Sequence, residues 1–353
     1  MTAGAVQTLL KAGQMKPSGR VVLAGTGPLM VLLADQLRRL GVDIAMVART
    51  DCWRDQIRAL SKLRLAAIPG VLKGLGWLAR LRLAGIPGRR GVTGIQAMGR
   101  DRVQSVRITL AQSVVDLPCD LLIVHDGIIP ATDMAQGAGL RLGWDKSLLC
   151  WTLQTHCNGQ AVPAPGAALT DGPYRIRISG DARRIGGAEA AIARGRHAAA
   201  AILQDLSCTM STLTAVRRSL APRPFLDAAF PPGLSAGLPD DAAIVCRCEE
   251  ITAGALRETL QAGVRDINDI RGITRCGMGP CQGRSCMITL ARMIAATGDR
   301  PPQPFRDRPP VRPVPLGALA QLSGADPRLS QIISLDDKPQ VAATGAVRGA
   351  ADV

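Results

Sequence analysis

Aromatic side chains are almost missing from this chain: three Phe, one Tyr and four Trp in 353 residues. A core has to be built from Ala, Leu, Val and Ile, and a hydrophobic content of 47% is enough to build one. The same scarcity argues against a nucleic-acid partner, although the formal charge is +15, because single strands are held largely by stacking bases on aromatic rings. No nucleic-acid motif accompanies the charge. The excess is mostly Arg and concentrates between Arg54 and Arg107. It reads as compositional bias; contact with an acidic partner or a membrane surface is compatible with it but not required. Long apolar runs are absent too, none reaching the ~18–20 residues that a membrane-spanning helix needs. Met1–Leu10 lacks the basic start and apolar run of a secretory signal. The three histidines, His125, His156 and His197, stand alone, with no Ser or Cys arrangement that would suggest hydrolysis. The expected setting is the cytoplasm, where thiols stay reduced.

Cysteine is what the chain has in quantity. Five of its ten lie in Cys246-Arg-Cys248 and Arg275-Cys-Gly-Met-Gly-Pro-Cys-Gln-Gly-Arg-Ser-Cys286. Two thiols one residue apart close a disulfide badly but can face one ion or cluster. Thiolate-only ligand sets select zinc, Cu(I) or iron–sulfur clusters. The second pair is either Cys281 with Cys286 or Cys276 with Cys281; the gap is the same, so spacing does not decide. Zinc sites favour Cys-x2-Cys pairs, which makes iron–sulfur the first reading and zinc the alternative. Thr252 is placed to cap a helix through Leu260, with Gly263 as its stop. Gly279-Pro280 forces a turn, and Cys286 opens a helix over 285–296 ending at Gly298. A helix N-terminus offers free N–H groups to an anionic cluster, and Arg247, Arg275 and Arg284 add positive charge nearby.

At the other end, residues 4–13 read as a short helix. Arg20-Val-Val-Leu-Ala-Gly25-Thr-Gly27-Pro28 follows as a buried strand running into a glycine turn and a helix to Leu40, then a strand over 42–47. This βαβ pattern predicts a Rossmann-type fold, with Gly25, Gly27 and Pro28 as the nucleotide-binding turn. Met30 stands where a third Gly or Ala is expected, and Ala48-Arg49-Thr50 where an acidic ribose ligand is expected. We expect no productive NAD binding; an adenine nucleotide, or no ligand, stays open. Residues 53–90 predict two basic amphipathic helices broken at Pro69 and Pro87. Strands are expected over 92–96, 102–110, 117–124 and 174–179, the last ending in Gly180-Asp181 before an Ala-rich helix to about Asp205. The prolines over 206–240 read as a linker, and those over 300–315 as an extended arm. Residues 336–353 read as disordered. Cys150 and Cys157 read as scattered thiols, with a redox pair as the alternative.

Two resemblances organise these parts. Cys-Arg-Cys-Glu followed by Thr-Arg-Cys-Gly-Met-Gly-Pro-Cys-Gln-Gly-Arg-Ser-Cys resembles the bacterioferritin-associated-ferredoxin type of [2Fe-2S] domain, over about 55 residues. Some members lack a cysteine at the position of Cys276, so the resemblance implies Cys246, Cys248, Cys281 and Cys286 as ligands, with Cys276 a nearby spare. The order of elements resembles two-dinucleotide-domain flavoprotein reductases. There the Asp of a Gly-Asp pair, here Asp181 with Gly180, binds the flavin's ribityl or phosphate region; a helix cap is the other reading. The segment that carries the flavin fingerprint in that family precedes the part matched here, so FAD is implied by resemblance only, and a partner or an upstream segment is expected to complete its pocket. From residue 4 to about 320 the chain is similar to the A subunits of opine oxidases and of related hydroxyproline and proline dehydrogenase complexes.

The expected architecture is α/β. A Rossmann-type NAD(P)-binding-like domain spans 1–115 and the C-terminal half of an FAD-type domain spans 116–205. A Pro-rich linker (206–240), a small helical [2Fe-2S] domain (241–299) and a Pro-rich arm and tail (300–353) follow. The implied function is electron transfer within a multi-subunit amine or imino-acid dehydrogenase. Its partners would be a catalytic flavoprotein B-type subunit and, in some relatives, a small ferredoxin-like subunit. A non-catalytic metal-binding assembly or regulatory protein is the alternative. No residue set for substrate chemistry is visible in the chain itself.

Overall fold

The structure, a computed structural model, describes residues 1–165, 167, 176–203, 206–232, 238–298, 300–305 and 314–322. It divides into two compact units, Met1–Asp307 and Arg308–Val353. In the second unit the described residues hold one short helix, Leu316–Leu322; the expected tail over 336–353 and residues 306–313 of the arm lie outside the described residues.

The first unit opens with α1 (Ala3–Ala12), β1 (Val21–Gly25), α2 (Pro28–Arg39) and β2 (Ile44–Arg49). Every residue of β1 and β2 is buried. Parallel strands covered on both faces read as unbroken apolar runs, which is why this unit was legible. Then come α3 (Trp53–Leu60), α4 (Ile68–Leu83), β3 (Gly88–Arg89), β4 (Val92–Met98), β5 (Ser105–Leu110), β6 (Ser113–Pro118) and β7 (Leu121–His125). The main sheet is parallel in the order β3-β2-β1-β7. On one face Leu33 and Leu37 of α2, Val6 of α1 and Leu81 of α4 pack against Leu23 and Ile123. On the other, Val22, Ala24 and Met46 meet Val92, Val106 and Ile108 of the antiparallel sheet β4-β5-β6. The result is an α/β architecture with three layers.

Three expectations are corrected in this half. Pro69 does not break the 53–90 run; it sits in the first turn of α4, where a missing N–H costs nothing, and the helix break falls over 61–64. A third strand, β6, joins the meander, half-exposed and carrying Asp116 opposite Arg107. The 117–124 run is divided by Pro118 and Cys119, so only 121–125 enters the parallel sheet.

The chain continues through α5 (Asp133–Gly137), β8 (Leu142–Asp145), β9 (Cys150–Leu153), α6 (Ala188–Ile202), α7 (Leu206–Ser219) and α8 (Arg223–Ala229). Tyr174 and Arg175 lie outside the described residues, and 176–179 form no strand beyond a bridge from Arg177 to Gln160. The linker expectation for 206–240 is overturned by α7 and α8. Pro222 is the cap residue of α8 and Pro224 lies in its first turn, so these prolines start a helix rather than prevent one.

The cysteine-rich part is a hairpin of β10 (Ile244–Cys246) and β11 (Ile251–Thr252), then α9 (Ala253–Gln261), α10 (Ile267–Thr274) and α11 (Cys286–Ala296). Thr252 caps α9, accepting the N–H of Ala255 at 3.4 Å. The sequence reading missed α10, whose start is capped by Asp266 accepting from Asn268 and Asp269. Leu256, Ile267, Ile270, Leu290 and Met293 form the core here. That core continues into the β8–β9 hairpin through Trp151, whose indole donates to Pro302 O at 3.1 Å.

Candidate functional site

Two places collect functional groups. The first is built by β10, the turn after α10, and the N-terminus of α11. Cys246 ends β10 and Cys286 begins α11; both are buried. The chain leaves α10 through Arg275 in the left-handed conformation, φ 62°, and the next residue, Cys276, is fully buried. The Sγ atoms of Cys246, Cys276 and Cys286 all lie within 4.8 Å of one another. Thiolates sharing one tetrahedral metal with bonds of about 2.3 Å sit about 3.8 Å apart, so the triad can bind a metal. Gly277 donates its N–H toward Cys246 Sγ at 3.5 Å. Contact with Cys276 first, and burial second, push the Cys286 thiol up.

Cys248 and Cys281 make a second pair beside the triad. Cys248 is exposed and Cys281 half-buried. Burial raises the Cys281 thiol, but Cys248 and the backbone N–H groups of Gly283, Arg284 and Ser285 outweigh it and hold the thiol below its ordinary value. Such a nest of N–H groups at a helix start stabilises a thiolate. The Cys281 N–H also points at Cys248, whose thiol is nonetheless pushed up, chiefly by the Cys281 side chain. Gly279 makes this approach possible: a Cβ there would lie 2.2 Å from the Cys248 Cβ. Arg275 binds Glu249 at 2.8 Å and closes the surface beside the pair. Of the implied ligands, Cys246 and Cys286 thus share one metal-range group with Cys276, the expected spare, while Cys248 and Cys281 pair outside it. The all-sulfur donor set with convergent N–H groups fits an iron–sulfur cluster.

The second place is a cleft of about 580 Å³, open to solvent, over the start of α2. Thr26, Gly27, Pro28 and His125 line its floor, and Arg223, Phe230 and Arg292 are among its walls. Gly25 is forced by close packing, since a Cβ there would lie 1.8 Å from His125 O. The Thr26 hydroxyl is buried without a partner, and no side chain caps α2, so this end can receive an anionic group. Burial holds the His125 imidazole below its ordinary pKa.

Beside the cleft, the end of β2 is filled by the chain's own groups. Met30 is fully buried in the core under α2. Arg49, at the end of β2, is bidentate on Asp51 at 2.9 and 2.7 Å, and both are buried. Gln56 also donates to Asp51 at 2.8 Å, and the Arg49 guanidinium lies over the Phe230 ring, 5.8 Å from its centre. At the end of β2, where a dinucleotide's ribose would meet a carboxylate, Asp51 is already bound by Arg49 and Gln56. NADH added to the purified protein should therefore leave its visible absorption unchanged; rapid bleaching in a stopped-flow trace would contradict this.

Gly180 and Asp181 are not among the residues lining that cleft. Asp181 Oδ1 accepts the N–H groups of Gly186 and Gly187 at 2.8 and 3.1 Å, which fixes the turn into α6. Cys150 is buried and its thiol pushed up to about 12, mainly by burial, while Cys157 is exposed. The sequence reading missed Asp51, which a search two residues past the end of β2 would have found. It also missed the roles of Thr26, His125 and α8 in the cleft.

Residues 241–322 match the family model described as the sarcosine oxidase A3 domain. The chain is 36% identical over 340 residues to the opine oxidase A subunit of Agrobacterium tumefaciens (strain Ach5), covering 91% of this chain and 65% of that one. It is 35% identical over 342 residues to the opine oxidase A subunit of Rhizobium meliloti (strain 1021), covering 91% and 71%. Among solved structures it is similar to L-proline dehydrogenase from P. horikoshii, with a TM-score of 0.60 at 17% identity, covering 90% of this chain and 53% of that one. The chain spans just under two thirds of the length of the first of these relatives.

Proposed function

Because the chain belongs to the family of opine oxidase A subunits, we propose that it is an electron-transfer subunit of an amine or imino-acid dehydrogenase. Its centre would be a [2Fe-2S] cluster held by Cys246, Cys248, Cys281 and Cys286. When bound, such a cluster accepts and returns one electron at a time. The observation that carries the reading is the buried triad of thiols, with no histidine or carboxylate in it, and the Cys248–Cys281 pair beside it. Around them, the N–H groups of Gly277, Gly283, Arg284 and Ser285 face the sulfurs. N–H groups aimed at sulfur stabilise the more negative, reduced state and raise its potential.

Among the described residues no constellation for breaking a C–N bond stands out, and that chemistry is assigned to a B-type flavoprotein partner acting at its own flavin. A small ferredoxin-like subunit is compatible with the same assembly. We place no FAD on this chain alone; Gly180 and Asp181 would contribute to a flavin site only together with another segment or subunit. No helix among the described residues is long and apolar enough to cross a membrane, and we place the complex in the cytoplasm. The test is reduction by substrate. Co-expressed and purified anaerobically with its flavoprotein partner, the chain should show its cluster bleaching on addition of the secondary amine, and no bleaching when the partner is left out. Bleaching of the isolated chain by the amine would overturn the assignment.

A further inference from the structure

Four positions suffice for the cluster, yet the buried triad and the Cys248–Cys281 pair together offer five thiols, and they are not equivalent. Cys248 and Cys281 form the solvent-facing pair, while Cys246, Cys276 and Cys286 form the buried triad. With Cys248 and Cys281 each filling one position, the buried side has three thiols for two. Cys276 is fully buried, within 4.8 Å of both of the others, and packed in the same core. Its backbone is pinned: its N–H is donated to Thr274 Oγ1 at 3.2 Å, and Arg275 before it is held in its turn by an N–H to Arg271 O at 2.8 Å. An immobile buried thiol at ligand distance needs only a side-chain rotation to reach a metal.

We propose that Cys276 is a reserve ligand of the buried side, able to take the place of Cys286 or Cys246 when either is lost. This rests on the cluster reading above. The solvent-facing pair has no such reserve, because the fifth thiol of the centre, Cys276, lies in the buried triad. The consequence is an asymmetry of tolerance: one deletion on the buried side is survivable, and one on the exposed side is not.

The experiment uses the full chain co-expressed with its partner and purified anaerobically, with iron, acid-labile sulfide and the EPR spectrum of the reduced protein as readouts. The wild type is measured first; zinc in place of iron there would sink the cluster reading itself rather than the reserve role. Cys276→Ala should keep its full iron content and an unchanged spectrum. Cys286→Ala should keep at least half of the iron with shifted g-values, since one thiolate has been exchanged for another. Cys276→Ala combined with Cys286→Ala should lose nearly all of it. If Cys286→Ala loses the regular helix signal by circular dichroism, Cys246→Ala carries the same comparison. Equal iron loss in Cys286→Ala and the double variant would overturn the proposal, as would loss of the cluster in Cys276→Ala alone.

Discussion

Cys281→Ala should abolish the visible absorption of the purified chain and leave less than about a tenth of its iron. Cys281 differs from the buried thiols in two ways. It receives the N–H groups of Gly283, Arg284 and Ser285, and it is paired with the exposed Cys248. Its removal leaves an open coordination site beside water, with no thiol to fill it, and exposed iron–sulfur clusters are readily hydrolysed. The fold should survive, because Cys281 lies outside the buried core of Leu256, Ile267, Ile270 and Leu290. Unchanged far-ultraviolet circular dichroism with the chromophore gone is the expected pair of results. A variant that keeps its iron would remove Cys281 from the ligand set.

The second large effect concerns stability. Asp51→Ala leaves the Arg49 guanidinium buried at 4% exposure without its bidentate partner. Removing one member of a buried ion pair costs about 3–5 kcal/mol, because the remaining charge is neither hydrated nor matched. Gln56 also loses its acceptor, and through it Arg90, which donates to Gln56 at 2.7 Å and stacks on Trp53. Urea unfolding followed by circular dichroism measures the loss. Replacing both residues, Arg49→Met with Asp51→Leu, should recover most of it, since an apolar pair of similar volume is often neutral or better. A single-variant cost under about 1 kcal/mol would show that the pair is hydrated.

What could be read from the sequence followed from local rules. The unbroken apolar runs of β1 and β2, the glycine turn into α2, the Thr252 cap and the helix opened by Cys286 are each set by neighbours in the chain, and each is present. The helices α7 and α8 were obscured because proline signals both the end of structure and the first turn of a helix. The strand β6 was hidden because its outer face is exposed and carries Asp116. Other features depended on tertiary placement. Cys276 joins Cys246 and Cys286 only because Arg275 turns the chain in the left-handed region, and Arg49 meets Asp51 only once both are buried at the end of the sheet. Spacing therefore located the cysteine centre but did not tell its buried members from its exposed ones.

The central claim is that these thiols hold an iron–sulfur cluster, and elemental analysis of anaerobically purified protein tests it most directly. The account predicts about two irons and two acid-labile sulfides per chain, with an EPR signal appearing on reduction by dithionite. One zinc per chain, without sulfide and without colour, would contradict it.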